Sequence, residues 1–204
     1  EKKGHEGVKG TVTEDFRGIL VHDHEITFYR YGSAHQECLA HVERYLKDNM
    51  ENESSLTWNR RMRELLQRMI HYRKEHTGEA SLDAQTVAGF ETEYQEILDK
   101  AKEEYKRNEP SPYYREGYNL YRRMQEYKTE HLLFLHDMRV PTTNNTAERC
   151  LRDYKRKQTF AMTFRSLESI EELCHSKGVL LEVRKNNPNI YTAVMEIFNR
   201  RYGA

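Results

Sequence analysis

Between Val87 and Tyr105 an apolar or aromatic side chain returns at every third or fourth position: Val87, Phe90, Tyr94, Ile97, Ala101 and Tyr105. Only an α-helix gathers such positions on one face, and so narrow a seam predicts a long helix packed along another. The expected partner precedes it. Trp58, Met62, Leu65, Leu66, Met69 and Ile70 share one face of a helix over residues 55–75, whose other face carries Arg60, Arg61, Arg63, Arg68, Arg73 and Lys74. The second helix is acidic where the first is basic, so the two are expected to pair antiparallel across Thr77-Gly78-Glu79. Gly78 ends the first and Ser81 opens the second. After Pro110 and Pro112, a third helix over residues 114–136 offers Tyr118, Tyr121, Met124, Tyr127, Leu132 and Leu135 as core. These tyrosine and methionine stripes read as core, not as cofactor contacts. The basic face of residues 60–74 reads first as a solvated face and second as a nucleic-acid surface.

The segments flanking this helical middle differ in character. Residues 1–15 carry three glycines among charges and suit a weak helix or a frayed end. Ile19, Leu20 and Val21 form a short apolar run entered from Gly18, as in a strand buried on both faces. The run stops at Asp23, between His22 and His24. An acid at the carboxyl end of a strand is well placed for chemistry, and equally well placed to cap the turn that follows. Beyond the Gly32-Ser33 turn, His35-Gln-Glu-Cys-Leu-Ala-His41 leads into a helix at Val42–Leu46. Cys38-x-x-His41 is half of a zinc site without a second pair, since Cys174 and His175 are adjacent. A buried cysteine and a hydrogen-bonded histidine near a strand end are the expectation.

Beyond the helical middle, the chain runs Val140-Pro-Thr-Thr-Asn-Asn-Thr-Ala-Glu-Arg-Cys-Leu-Arg-Asp-Tyr-Lys-Arg-Lys157. Asn144 or Asn145 can cap a helix whose first turn holds Glu148, at the positive end of the dipole. Ala147, Cys150, Leu151 and Tyr154 then form a stripe expected to be buried. Five cations follow the acid: Arg149, Arg152, Lys155, Arg156 and Lys157. Such a helix can hold a metal ion and a phosphate chain together, or be only a well-capped surface helix. Residues 158–164 read as β-prone or irregular. Ser166 can cap a helix over 167–185, weakened by Gly178, with Ile170, Leu173, Cys174, Leu180 and Leu181 inward. Asn186-Asn-Pro188 stops it before a last amphipathic helix over 189–202.

Composition excludes some classes. Lys plus Arg and Asp plus Glu each number 33, so no global charge attracts nucleic acid and any DNA-binding surface must be local. No apolar run reaches membrane-spanning length and no secretory leader is visible. Three widely spaced cysteines favour reduced thiols in a cytoplasmic compartment. Metal-assisted phosphoryl transfer needs hard carboxylates from separate elements converging on one spot. Asp23 and Glu148, separated by a mainly helical segment, are the candidate pair.

The words around these two acids add an independent signal. Gly18-Ile-Leu-Val-His-Asp-His24 followed by tyrosines, and then His35-x-x-Cys-Leu-Ala-His41, resemble the second-aspartate region of the IS sixty-six family of bacterial insertion-sequence transposases. That family lies within the DDE, RNase H-like superfamily. Val140-Pro-x-x-Asn-Asn-x-Ala-Glu-Arg-x-x-Arg152, with Lys155-x-Lys157 and Phe164-Arg-Ser166, resembles its glutamate region. The resemblance implies a mainly α chain with a small β remnant (α+β), an incomplete RNase H-like core interrupted by a long helical insertion. Residues 1–45 would be the N-terminal part of that core, with 4–13 its first helix. Residues 46–138 would be the insertion, 139–185 the core segment carrying the glutamate, and 186–204 a C-terminal helix.

The resemblance further implies Mg²⁺ (or Mn²⁺)-dependent cleavage and strand transfer of transposon ends, with DNA as partner, a homo-oligomeric assembly and a bacterial cytoplasmic location. By residue, Asp23 is the second acid and Glu148 the third, both metal ligands. Arg149, Arg152, Lys155, Arg156 and Lys157 lie along the DNA backbone. His22, His24, Cys38, His41 and Asn145 support the site. One departure stands out. Only Asp15 precedes Asp23, in a charged context with no strand before it, so the first aspartate and the first strands are expected upstream of Glu1. The chain by itself would then be an inactive fragment. Two other readings remain: a non-catalytic helical module for DNA binding or dimerisation, and a zinc hydrolase built on Cys38, His41, His22 and His24.

Overall fold

The computed structural model of the protein describes residues 4–160, 166–186 and 189–202. Two four-residue helical turns, α1 (His5–Val8) and α2 (Val12–Asp15), open the chain. The single helix expected over 4–13 is broken there, since Gly10 takes a left-handed φ of 76° that a helix does not accommodate. Strand β1 (Ile19–His22), a 3₁₀ turn (Ile26–Arg30) and strand β2 (Ala34–Glu37) follow. The next five helices are α3 (Leu39–Asn52), α4 (Trp58–Glu75), α5 (Ala84–Arg107), α6 (Glu116–Glu126) and α7 (Lys128–His136). Helices α8 (Asn145–Phe160), α9 (Leu167–Asn186) and α10 (Ile190–Tyr202) complete the described residues. The fold is mainly α with one small parallel sheet, the class the sequence predicts. The chain divides into two compact units, residues 1–146 and 147–204.

In the first unit β1 and β2 pair in parallel, with Ile19 opposite Ala34 and His22 opposite Glu37. Parallel neighbours need a crossover, and residues 23–33 supply a short one through the 3₁₀ turn. Gly32 closes it with a φ of 73°, and a Cβ there would lie 2.8 Å from the Gly18 carbonyl oxygen. Ser33 N donates to that same oxygen at 2.9 Å. Ile19, Leu20 and Val21 are only half-buried, not buried on both faces as expected. β1 has one partner strand, so one edge and part of a face stay wet.

The helical middle folds as its seams predict. Thr57 and Trp58 N donate to Glu104, Arg68 pairs with Glu93, and the Tyr72 and Phe90 rings stack edge-on. These contacts ascend α4 while descending α5, so the two helices are antiparallel. Thr57 itself does not cap α4. Glu104 does so from the neighbouring helix, accepting the two amides at 2.9 and 3.1 Å. Asp83, not Ser81, caps α5, because its carboxylate accepts both Thr86 N and Oγ1 at 2.7 Å. Trp58, Met62, Leu65, Leu66 and Met69 meet Tyr94, Ile97, Leu98 and Ala101 in a core completed from α3, α6 and α7. Each large apolar side chain taken from water there contributes about 1.5–3 kcal/mol. The basic face of α4 is partly structural, since Arg73 donates to the Phe134 and Met138 carbonyls and Arg68 binds Glu93.

The third predicted helix is two. At Tyr127 the backbone leaves helical values, with φ −109° and ψ 35°. α6 packs on α3 and α5, whereas α7 packs on β2, and one straight helix does not reach both sets of partners.

The second unit holds most of α8 with α9 and α10. Tyr154 of α8 faces α9, with Lys177 Nζ 4.5 Å from its ring centre. The stripes expected to be buried are not. Ala147, Cys150 and Leu151 are exposed, as are Cys174, Leu180 and Leu181, and among the described residues of this unit only Ala193 is buried. Three helices alone enclose little volume, so much of their apolar surface remains open. The run at 158–164 is helical as far as Phe160, where β structure was anticipated, because α8 continues its hydrogen-bonded ladder. Residues 161–165, including Phe164 and Arg165 of the motif, lie outside the described residues.

Candidate active site

Strand β1 ends at His22 and delivers Asp23 to the surface. The Asp23 carboxylate has no hydrogen-bond or ion-pair partner among the described residues. Capping, its alternative role, falls instead to Glu25, whose side chain accepts Thr27 N at 3.3 Å. The Asp23 backbone carbonyl is held on both sides, accepting Glu25 N at 2.7 Å and His22 Nδ1. An exposed, uncompensated carboxylate on an anchored backbone is an available ligand for a hard cation or for a proton.

Beneath it lies a polar cluster that the sequence does not announce. Glu37, the last residue of β2 and the register partner of His22, is fully buried. Its Oε1 meets His24 Nδ1 at 2.6 Å and the Tyr29 hydroxyl at 2.5 Å. Its Oε2 meets His131 Nε2 at 3.2 Å and Arg123 Nη2 at 2.7 Å, the latter an ion pair without hydrogen-bond alignment. Burial alone would push the Glu37 pKa up. The hydrogen bonds from His131 and His24 and the Arg123 charge outweigh it, and the pKa falls far below the usual carboxylate range. The carboxylate is thus ionised in the core, compensated from four separate elements.

The histidines are neutral partners. Burial lowers the pKa values of His22, His35 and His131. A neutral His131 donates from Nε2 to Glu37 and accepts at Nδ1 from the Tyr94 hydroxyl, 3.1 Å away. His22 donates from Nδ1 to the Asp23 carbonyl, which leaves its Nε2 to accept from His35 Nδ1 at 3.3 Å. Gln36 fixes the strand to α7, its Oε1 accepting Phe134 N at 2.8 Å and its Nε2 donating to the Glu37 carbonyl, also at 2.8 Å. Glu37, Gln36, Arg123, His131, Tyr29 and Tyr94 are absent from the sequence-based site. The available signal was Glu37 itself, an acid inside the His35–His41 word, but its partner His131 is 94 residues away.

The other sequence-based residues are distributed as follows. Cys38 is fully buried just before α3, its N donating to the His22 carbonyl at 2.7 Å. His41 sits half-buried in the first turn of α3, its ring 6.5 Å from that of Tyr45. His22 and His24 join Asp23 and Glu37 as described. Glu148 and the five cations belong to the second unit, in α8. Glu148 is half-buried and pairs with Arg152 at 3.5 Å, in the favourable order with the acid toward the helix start. Arg149, Arg152, Lys155, Arg156 and Lys157 are exposed, and Arg152, Lys155, Arg156 and Thr159 line a groove of about 350 Å³. α8 begins at Asn145, which leaves Asn144 in the cap position with its buried Oδ1 unpartnered.

Among the described residues no three His, Cys, Asp or Glu side chains are grouped to hold a metal ion. None of the described helices is long and apolar enough to cross a membrane.

A mainly helical chain that sets an exposed acid at a parallel strand end and a basic helix behind a second acid is a transposase. The family model described as Transposase IS66 family matches residues 2–172, and the chain belongs to that family. Its partner is therefore DNA. No curated protein and no solved structure matches it.

Proposed function

We propose that the chain carries two acids of a DDE-type catalytic centre, Asp23 and Glu148, for cleavage and strand transfer of transposon ends. The observation that carries this reading is the Asp23 carboxylate, exposed and unpartnered on a strand end anchored through Glu37, in a chain of a transposase family. Hard carboxylates are the donors that Mg²⁺ or Mn²⁺ prefers, and Asp23 has no internal cation to displace. A bound metal pair would supply charge neutralisation at the scissile phosphate and a more acidic attacking water or 3′-hydroxyl.

The chain's own residues divide the remaining work. Asp23 supplies negative charge at a fixed point, because its backbone is held by His22 and by Glu25 N. Glu148 supplies a second carboxylate, with Arg152 shielding its charge until a cation or DNA competes. Arg149, Lys155, Arg156 and Lys157 neutralise phosphates and so add affinity without reading sequence. The RNase H-like architecture and the upstream first aspartate are part of this proposal.

Cleavage of transposon-end DNA by the full-length transposase carrying Asp23→Asn or Glu148→Gln tests the assignment. Loss of at least a hundredfold is expected from each, and near-wild-type cleavage by either would remove that residue from the catalytic centre.

A further inference from the structure

We propose that the cleft between α3 and α6 receives an unstacked nucleobase of the DNA on which this protein acts. The inference rests on the DNA-processing reading above. The cleft encloses about 630 Å³, within the range of small-ligand sites. His24 forms part of its wall, so it opens one residue beyond Asp23.

Its polar groups are unevenly satisfied. Asn49 is almost completely buried, and its Oδ1 accepts the Tyr114 hydroxyl at 2.7 Å while its Nδ2 has no partner. Arg123 Nε is likewise buried without a partner. Two unmet donors therefore belong to the lining, together with the carboxylates of Asp48 and Glu116 and the amide of Asn119. A ligand that completes this set carries carbonyl or ring-nitrogen acceptors and N–H donors on one small rigid frame. Nucleobase edges have that pattern, and amides and carboxylates are the side chains that read them. The two acids repel a phosphate, so the backbone stays outside and the base alone enters, as when a base is drawn from its stack.

The probe is a short duplex with an unpaired terminal 2-aminopurine, titrated into the 204-residue chain, beside the same DNA abasic at that position. The expected results are a change in 2-aminopurine emission on binding and about tenfold weaker binding of the abasic DNA. Asn49→Leu removes the buried amide. Asn119→Met fills the cleft from an exposed position that leaves the core alone. Both should abolish the emission change and the tenfold preference, whereas Lys155→Ala weakens both DNAs equally and keeps their ratio. Equal affinity of the wild-type chain for the two DNAs, absence of binding to either, or a folded Asn119→Met that keeps the preference would overturn the proposal. Cleavage surviving Asp23→Asn in the full-length protein would remove the catalytic reading and leave this binding ratio standing.

Discussion

His24 Nδ1 lies 2.6 Å from Glu37 Oε1, which ties the residue after Asp23 to the end of the neighbouring strand. Through the other carboxylate oxygen the same side chain reaches Arg123 on α6 and His131 on α7. One buried anion thus joins the strand end that presents Asp23 to the helices of the middle segment. The position of the candidate acid depends on residues that touch no substrate.

Glu37→Ala is expected to destabilise the first unit by about 3–5 kcal/mol, because it leaves the Arg123 charge buried without its anion. Glu37→Leu refills the volume but strands Arg123 in the same way, so it should recover only part of that loss. Urea denaturation followed by circular dichroism measures the effect. A loss under about 1 kcal/mol for Glu37→Ala would show that the cluster is not holding the fold.

Stability should fall as pH is lowered from about 7.5 to about 4. Burial depresses the folded pKa values of His22, His35 and His131, so the unfolded chain binds more protons once pH drops below about 6.5. Their contribution is complete above that value and is lost as pH falls. Glu37 acts with the same sign at lower pH, since its folded pKa lies below that of the unfolded chain. Its share is complete above about 4.5 and lost beneath it. Thermal midpoints across this range would contradict the neutral histidines if they stayed level or rose on acidification.

Glu104→Ala should cost about 1 kcal/mol, as the loss of a helix cap does, because the amides of Thr57 and Trp58 lose their acceptor. Glu104→Gln, which keeps an acceptor oxygen, should restore part of it. Equal effects of the two substitutions would show that the charge, not the hydrogen bonds, matters at this helix start.

Alanine at Arg149, Lys155 or Lys157 should weaken DNA binding without changing sequence preference. Each phosphate left without its cation should reduce the slope of log affinity against log salt by about 0.9. Fluorescence anisotropy at several salt concentrations reads this directly. An unchanged slope for all three would place the DNA elsewhere on the protein.

The helical middle was legible because its core is written in local periodicity. Val87 to Tyr105 and Trp58 to Ile70 each repeat at helical spacing, and burial of Trp58, Met62, Tyr94 and Ile97 follows from that. The break at Tyr127 was not legible, since its cause is the packing of α7 on β2, two elements far apart in the chain. The stripe at Ala147, Cys150 and Leu151 has helical spacing and is nonetheless exposed. Periodicity states which face is apolar, while burial also needs a partner surface.

The sequence by itself determined the helices, the strand that ends at Asp23, the acid-then-cations order of α8 and the family to which these words belong. Tertiary structure decided which polar groups are paired. Glu37, Gln36, Arg123 and His131 come from three different elements, and ordinary local patterning leaves no trace of a charge that will be compensated in the core. A buried carboxylate is tolerated only where donors converge on it, and convergence is a property of the folded chain.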